Sequence, residues 1–139
     1  MEKTFETASL SLEACTAMAK AAFEKANELE IKIAITIVDA GANTKYFGRM
    51  DHAGLIASDV SRKKAVTAVG FGMPTGDAWQ NFIQDDPILN NGVHGIHDFM
   101  LLGGGSPVMI DCQLVGAVGV SGAHYKQDEQ CTKAAIEAL

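Results

Sequence analysis

The sequence predicts an α+β fold, in which helices pack against a five-stranded, mainly antiparallel β-sheet. Two observations predict this class, and the length of the chain predicts a single domain. The spacing of the hydrophobic residues changes along the chain from a helical period near 3.6 to a period of two, and back again. The predicted strands follow one another after short turns, and such neighbours must be antiparallel because a parallel partner needs a long crossover. The chain has 139 residues, so we expect residues 1–139 to form one domain.

The first predicted element is an amphipathic helix over residues 11–29. Apolar side chains recur there at helical spacing, and serines at its start can cap the first turn. Isoleucines then alternate with other residues over 31–38, which predicts a strand with one apolar face. Turn-forming residues over 39–43 lead into a second strand over 44–49, so the two strands are expected to form a hairpin.

The remainder of the chain is predicted to supply three helices and three strands. The helices are expected over residues 53–71, 75–83 and 127–139. The strands are expected over residues 99–102, 108–111 and 114–121. Residues 88–95 carry little regular pattern and are expected to form a loop.

Composition and charge argue against several classes of protein. The net charge of −6 and the lack of a basic stripe argue against nucleic-acid binding. No stretch approaches the roughly 20 apolar residues of a membrane span, and the first ten residues lack the apolar core of a signal peptide. A cytoplasmic location is therefore expected. The three cysteines are widely spaced without a C-x-x-C pair, which argues against a disulfide framework and a zinc site.

Glycine marks two candidate functional features near the end of the chain. The first is Gly103-Gly104-Gly105, whose backbone N–H groups can form a cradle for a carboxylate or phosphate, or simply a wide turn. No G-K-[ST] follows it, so no nucleotide site is expected. The second is the last strand, where small residues including Gly119 and Ser121 share one face. That face is either the floor of a pocket or a place where a helix packs closely.

Lys64 is a polar residue within the apolar stripe of the second predicted helix. Apolar surroundings would lower the pKa of its amine and suit base or Schiff-base chemistry. Lys64 could equally be the counter-ion of a buried carboxylate, or extend to solvent from the edge of the stripe. Arg49 and Asp51 end the second strand just before this helix. They are expected to pair with each other, or to line one opening together with Lys64.

Three histidines are candidate ligands for a metal or a heme iron. His94 and His97 are three residues apart, and on a helix this spacing would place both imidazoles on one face. Two glycines in the same stretch argue against a helix, so an ordinary pair of loop histidines is the alternative. His52 is the third candidate. No nucleophile motif such as G-x-S-x-G is present, so no catalytic residue is assigned.

Several short motifs, taken in order, resemble the GlcG/HbpS family. The first half of the family pattern is matched by Val38-Asp39-Ala40-Gly41, Phe47-Gly48-Arg49-Met50-Asp51 and Lys63-Lys64-Ala65. The second half is matched by Phe71, Thr75, the segment Gly103 to Pro107 and the strand Val115 to Gly122. Each motif alone is weak, whereas their order along nearly the whole chain is specific. One departure is His52, which stands where the pattern usually has glycine.

The resemblance implies a profilin-like fold, in which a five-stranded antiparallel sheet lies between helices in three layers. It also implies assembly into homo-oligomers, often octamers. Some members bind heme, including the C-terminal domain of PduO-type proteins, and others are linked to glycolate, propanediol or glycerol utilisation. Heme or a related tetrapyrrole is therefore the first ligand to expect. No established iron ligand of the family maps onto this chain, because axial ligation differs among members.

We therefore expect a small oligomeric ligand-binding protein rather than an enzyme. In this hypothesis the small-faced strands supply an apolar slot, Lys64 or Arg49 a cation for the heme propionates, and a histidine the axial ligand. The expected ligand-binding residues are Arg49, Asp51, Lys64, Phe71, Gly103, Gly104, Gly105 and Ser121. Two alternatives stay open: an enzyme acting on a small carboxylate or aldehyde through Lys64 and Asp51, and a non-catalytic accessory subunit of a dehydratase system.

Overall fold

The computed structural model describes all 139 residues and contains five α-helices, four strands and one turn of 3₁₀ helix. In chain order the elements are α1 (Leu12–Glu28), β1 (Ala34–Asp39), β2 (Thr44–Arg49), α2 (Ala57–Phe71), α3 (Asp77–Ile83), α4 (Pro87–Gly92), the 3₁₀ turn (Val93–Gly95), β3 (Gly105–Ile110), β4 (Gln113–Ser121) and α5 (Tyr125–Glu137). None of the helices combines the length and the hydrophobicity that crossing a membrane requires.

The four strands form one antiparallel sheet in the order β2-β1-β4-β3. Strands β1 and β2 form one hairpin, β3 and β4 form a second, and the two hairpins join through the pairing of β1 with β4. The predicted α+β class with antiparallel pairing is therefore confirmed. The predicted number of strands is wrong, because the sheet has four strands and not five.

The missing strand is the one predicted over residues 99–102, which lie outside the sheet. Asp98, just before this segment, has a left-handed φ of +64°, which interrupts an extended backbone. The Phe99 ring then packs edge-on against the Trp79 ring, with 5.1 Å between centroids. A short apolar run is also compatible with a buried irregular segment, and that is the structure it adopts here.

The predicted loop over residues 88–95 is instead largely helical, since it contains most of α4 and the 3₁₀ turn. Asp86 caps α4, because its Oδ1 atom accepts hydrogen bonds from the N–H groups of Ile88 and Leu89. Pro87 occupies the first turn, where proline is favoured. The asparagines and glycine that follow have low helix propensity, which hides the helix in the sequence pattern.

Helices cover both faces of the sheet. Helices α1 and α5 lie on one face, where the main hydrophobic core includes Ile33, Ile35 and Ile37 from the first strand and its approach. Helix α2 lies on the other face, over β1, β3 and β4. The alternation of residues that predicts β1 therefore separates the residues facing α1 and α5 from those facing α2.

The small residues of β4 allow α2 to pack very closely. A side chain at Gly119 would collide with the backbone carbonyl of Ser61 in α2. Ala117 of the same strand packs in a small core with Ala65 and Ala68 of α2. Of the two interpretations of this strand, close helix packing is the one that the structure shows, and the expected apolar slot is filled by α2.

Residues 72–104 connect α2 to β3 and lie outside the sheet, and we call this segment the excursion. Gly72 ends α2 with a left-handed φ of +67°, a conformation that glycine adopts without strain. The excursion then forms its own small core around Trp79, Ile83 and Val93. This part of the molecule is thus separate from the two layers that sandwich the sheet.

Candidate functional site

A buried ion pair joins α2 to α5. Lys64 Nζ donates hydrogen bonds to Asp128 Oδ2 at 2.9 Å and to the Val120 carbonyl oxygen at 2.8 Å. Asp128 Oδ1 accepts a further hydrogen bond from the Ala123 N–H at 3.1 Å. Both charged side chains are only 1% exposed. Of the alternatives for Lys64, the counter-ion of a buried carboxylate is the one that the structure shows.

Gly103, Gly104 and Gly105 lie beside this ion pair. A Cβ atom on Gly104 would lie 3.0 Å from Lys64 Nζ, and Gly104 has a left-handed φ of +117°. The Gly104 carbonyl oxygen accepts a hydrogen bond from Thr132 Oγ1 at 2.6 Å. The Gly105 N–H donates to a threonine hydroxyl at 2.9 Å, so it is already engaged. Glycine is needed here for close packing, and the carboxylate cradle stays a prediction.

Burial dominates the electrostatics of the ion pair. It lowers the pKa of the Lys64 amine and raises the pKa of the Asp128 carboxyl, although the attraction between the two groups opposes both shifts. The hydrogen bonds described above engage both groups, and the amine has almost no contact with solvent. In this geometry the pair is a structural tie between the helices on opposite faces of the sheet.

Arg49 and Asp51 lie elsewhere, in a shallow groove of about 360 Å³ beside β2. The groove is also lined by Phe23, Tyr46, Gly48 and Met50. Neither Arg49 nor Asp51 forms an ion pair, so the expected pair is absent. Lys64 does not line this groove, so the expected common opening is absent as well. Ser121 is buried two strands away, since Ala34 pairs with Arg49 on one side and with Ser121 on the other.

Four aromatic rings come together in and next to the excursion, and we call Phe71, Trp79, Phe82 and Phe99 the aromatic cluster. The Trp79 ring is edge-on to the other three, with centroid distances of 4.8 Å to Phe71, 5.7 Å to Phe82 and 5.1 Å to Phe99. The His94 ring adjoins the cluster, 5.9 Å from that of Phe99. The fold thereby brings together two residues that the sequence analysis treats separately, Phe71 and His94.

The aromatic cluster is buried at its centre and open at its edge. Trp79 is 4% exposed, whereas Phe71 is 45% exposed and Phe82 is 58% exposed. The indole Nε1 atom of Trp79 is buried and donates to no acceptor. A buried indole N–H normally finds a partner, so an orphaned one calls for an explanation. Of these two features, the open apolar edge is the one that a ligand can contact, because the indole N–H is buried.

The three candidate metal-binding histidines do not come together. His94 lies in the 3₁₀ turn, which ends at Gly95, so His97 does not share a helical face with it. The His97 side chain is 95% exposed, with Nε2 at 3.5 Å from Asp98 Oδ2. His52 is exposed and has a left-handed φ of +68°. No group of three or more His, Cys, Asp or Glu residues is placed to hold a metal ion.

Four residues of these arrangements are not among the sequence-predicted site residues: Asp128, Trp79, Phe82 and Phe99. In the sequence, Asp128 is an acid in the first turn of the last helix, where acids are favourable in any helix, and Asp128-Glu129 also matches the family pattern. Neither signal indicates that Asp128 pairs with Lys64. The single tryptophan, in a segment with two further phenylalanines, is the signal that could have indicated the aromatic cluster.

Comparison with known proteins identifies relatives along nearly the whole chain. The family model described as haem degrading protein HbpS-like matches residues 10–137. An uncharacterized 15.0 kDa protein in the dhaT–dhaS intergenic region of Citrobacter freundii is 31% identical over 139 residues, which is 100% of this chain and 98% of that protein.

Two solved structures share both the fold and about a third of the sequence. A PduOC:heme complex has a TM-score of 0.86 and 30% identity, and the match covers 94% of this chain and 95% of that chain. A double mutant of HbpS from Streptomyces reticuli has a TM-score of 0.88 and 32% identity, covering 100% of this chain and 92% of that chain. The resemblance found in the sequence motifs is confirmed, and the chain belongs to the HbpS-like family.

Proposed function

We propose that this protein binds heme, or a related tetrapyrrole, on the aromatic cluster, with His94 as the axial ligand. The observation that carries the proposal is the open edge of the cluster, where Phe71 and Phe82 are exposed, together with the His94 ring that packs against Phe99 of the same cluster. The His94 imidazole forms no hydrogen bond, so both of its nitrogens are free. The PduOC relative, solved as a heme complex, supports the choice of ligand.

The residues of the cluster fit a heme. A porphyrin has two extended apolar faces, and covering one of them with the Phe71 and Phe82 rings would remove apolar surface from water. A neutral imidazole such as that of His94 is a common iron ligand. When bound, the heme would supply a redox-active iron. The residues of the cluster would hold the macrocycle, orient it and exclude water from one of its faces.

This placement differs from the one expected from the sequence. The small face of β4 is covered by α2, and Lys64 is bound to Asp128, so Lys64 is not available to a heme propionate. Arg49 and His52, by contrast, are exposed near the groove beside β2. They define a second, separate placement for the same ligand. Variants in the two regions can therefore be compared directly.

Other parts of the functional hypothesis stay predictions. The enzyme alternative has no structural observation in its favour, because Lys64 is buried and Asp51 is not its partner. These predictions are a homo-oligomer, for which the family resemblance implies an octamer, a cytoplasmic location, an accessory role and a link to glycerol, diol or glycolate utilisation. The ligand-binding roles of Asp51, Ser121 and the three glycines also stay predictions.

A hemin titration followed by Soret absorbance tests the proposal. We expect a saturable change that ends at one hemin per chain. His94→Ala is expected to move the Soret band and weaken binding, because the iron loses its nitrogen ligand. His52→Ala is the matched control and is expected to leave both unchanged. A non-saturating rise, or a loss in His52→Ala but not in His94→Ala, would contradict the proposal.

Metal-free protoporphyrin IX separates the two parts of the site. It keeps the apolar macrocycle but offers the histidine no iron. We expect it to bind more weakly than hemin and to be insensitive to His94→Ala. Equal sensitivity of both ligands to His94→Ala would mean that the histidine acts by packing and not by ligation.

A further inference from the structure

A clasp on α2 holds the segment that carries Phe99. Arg62 Nη1 donates to Asp98 Oδ2 at 2.9 Å, and Arg62 Nη2 donates to Asp98 Oδ1 at 3.0 Å. This is a bidentate, charge-assisted contact between elements far apart in the chain. The Asp98 side chain is only 15% exposed, so the contact is well shielded on that side. We call the contacts of Arg62 and Thr67 with residues 98–100 the clasp.

Thr67, one and a half turns further along α2, forms the second half of the clasp. Its hydroxyl donates to the Asp98 carbonyl oxygen at 3.2 Å and accepts from the Met100 N–H at 2.9 Å. The backbone is therefore tied to α2 immediately before and immediately after Phe99. Asp98 keeps a left-handed φ of +64° within this arrangement, which is unusual for a residue other than glycine.

We propose that the clasp positions Phe99, and through it His94, for ligand binding at the aromatic cluster. The proposal rests on the function proposed above. The Phe99 ring lies between those of Trp79 and His94, at 5.1 Å from the first and 5.9 Å from the second. Because the backbone is held on both sides of Phe99, the Phe99 ring is held as well, and the His94 imidazole packs against that ring. Arg62, Thr67 and Asp98 are positioning residues, since they act through Phe99.

The chain offers a matched control for the charge of the clasp. Arg62 also pairs with Asp59, which lies three residues earlier on the same helix and does not hold the excursion. Asp98→Asn removes the carboxylate that ties the excursion to α2. Asp59→Asn removes the other carboxylate of the same arginine and leaves the clasp in place. Only the first variant is expected to affect the excursion.

The first measurement is amide hydrogen exchange in the protein without ligand. The Met100 N–H is protected by its bond to Thr67, and it exchanges when the segment opens. Asp98→Asn loses the charge-assisted bidentate contact, and we therefore expect the exchange rate of the Met100 N–H to rise about tenfold in this variant. The rate in Asp59→Asn is expected to match that of the unmodified protein. Equal rates in all three proteins would overturn the clasp.

The second measurement is the hemin titration of the same variants, with Thr67→Val and Thr67→Ser added. We expect a severalfold weaker affinity and a shifted Soret band in Asp98→Asn and Thr67→Val, and rescue of both properties by the hydroxyl of Thr67→Ser. Faster exchange combined with unchanged hemin binding would overturn the positioning role. Failure of the unmodified protein to bind hemin would overturn the proposed function itself, and the exchange result would then still decide whether the clasp exists.

Discussion

The buried ion pair and the aromatic cluster differ in how far their groups are hydrogen-bonded and shielded from solvent. Lys64 and Asp128 are both hydrogen-bonded and lie out of contact with solvent. In the aromatic cluster, the indole N–H of Trp79 has no acceptor, and the rings of Phe71 and Phe82 face water. The charges of the first region are satisfied within a single chain, whereas the second region leaves apolar surface exposed for another molecule.

This contrast separates residues with reactive side chains from residues placed to bind. Lys64 and the glycines Gly103 to Gly105 attract attention in the sequence, yet the fold uses the lysine for a tie between layers and the glycines for close packing. The aromatic side chains carry no reactive group, but two of them, Phe71 and Phe82, leave apolar surface exposed in a cluster that also contacts the His94 ring. Chemistry-bearing residue types are therefore a weaker guide here than unmet bonding and exposure.

The largest effect is expected from a substitution that breaks the buried ion pair. Lys64→Met leaves the Asp128 carboxylate buried without its cation, and we expect a loss of about 3–5 kcal/mol in the free energy of unfolding. Urea denaturation followed by circular dichroism measures this loss. The double variant Lys64→Met/Asp128→Leu removes both charges and is expected to recover most of the stability. A loss below about 1 kcal/mol in the single variant would refute the structural tie.

An intermediate effect concerns the open edge of the aromatic cluster. Phe82 is more than half exposed, so Phe82→Ser is expected to change the free energy of unfolding by less than about 1 kcal/mol. The same variant is expected to weaken hemin binding about tenfold, because the ring covers the ligand instead of the core. Met109→Ser, which removes a 54% exposed side chain from β3, is the matched control and is expected to bind hemin normally.

The smallest effect concerns the thiols. Burial, helped by the nearby Asp128 carboxylate, raises the pKa of Cys131 from 9.0 to about 11, whereas Cys112 is exposed. A raised pKa means that the stability contributed by the neutral thiol is fully present below pH 9.0 and is lost as the pH rises toward 11. At about pH 8, a thiol reagent is therefore expected to modify Cys112 quickly and Cys131 only on unfolding. Rapid modification of Cys131 in the native protein would show that the packing around Asp128 is looser than described.

Local sequence signals are sufficient for most of the fold. Helical spacing predicts α1 and alternation predicts β1, because each of these elements buries residues along one face. The segment over 99–102 is predicted wrongly, since its conformation is set by Arg62 and Thr67 on another element. A contact of this kind leaves no periodic pattern in the sequence.

The candidate site is less predictable for the same reason. Lys64 stands out because it interrupts an apolar stripe, but its partner Asp128 is 64 positions away, and no local rule connects the two. Phe71 and His94 both appear among the sequence-predicted residues, yet only the folded excursion places them around Trp79 and Phe99. Long-range packing decides which candidates share a site.

The most direct test of the account is a map of the bound heme by paramagnetic broadening of amide signals in NMR spectra. Ferric hemin broadens nearby signals, and the diamagnetic gallium protoporphyrin IX provides the reference. We predict that hemin abolishes the signals around Phe82, His94 and Phe99 and leaves those of Arg49 and Asp51 sharp. Selective broadening around Arg49 and Asp51 instead would place the ligand in the groove beside β2 and contradict the account.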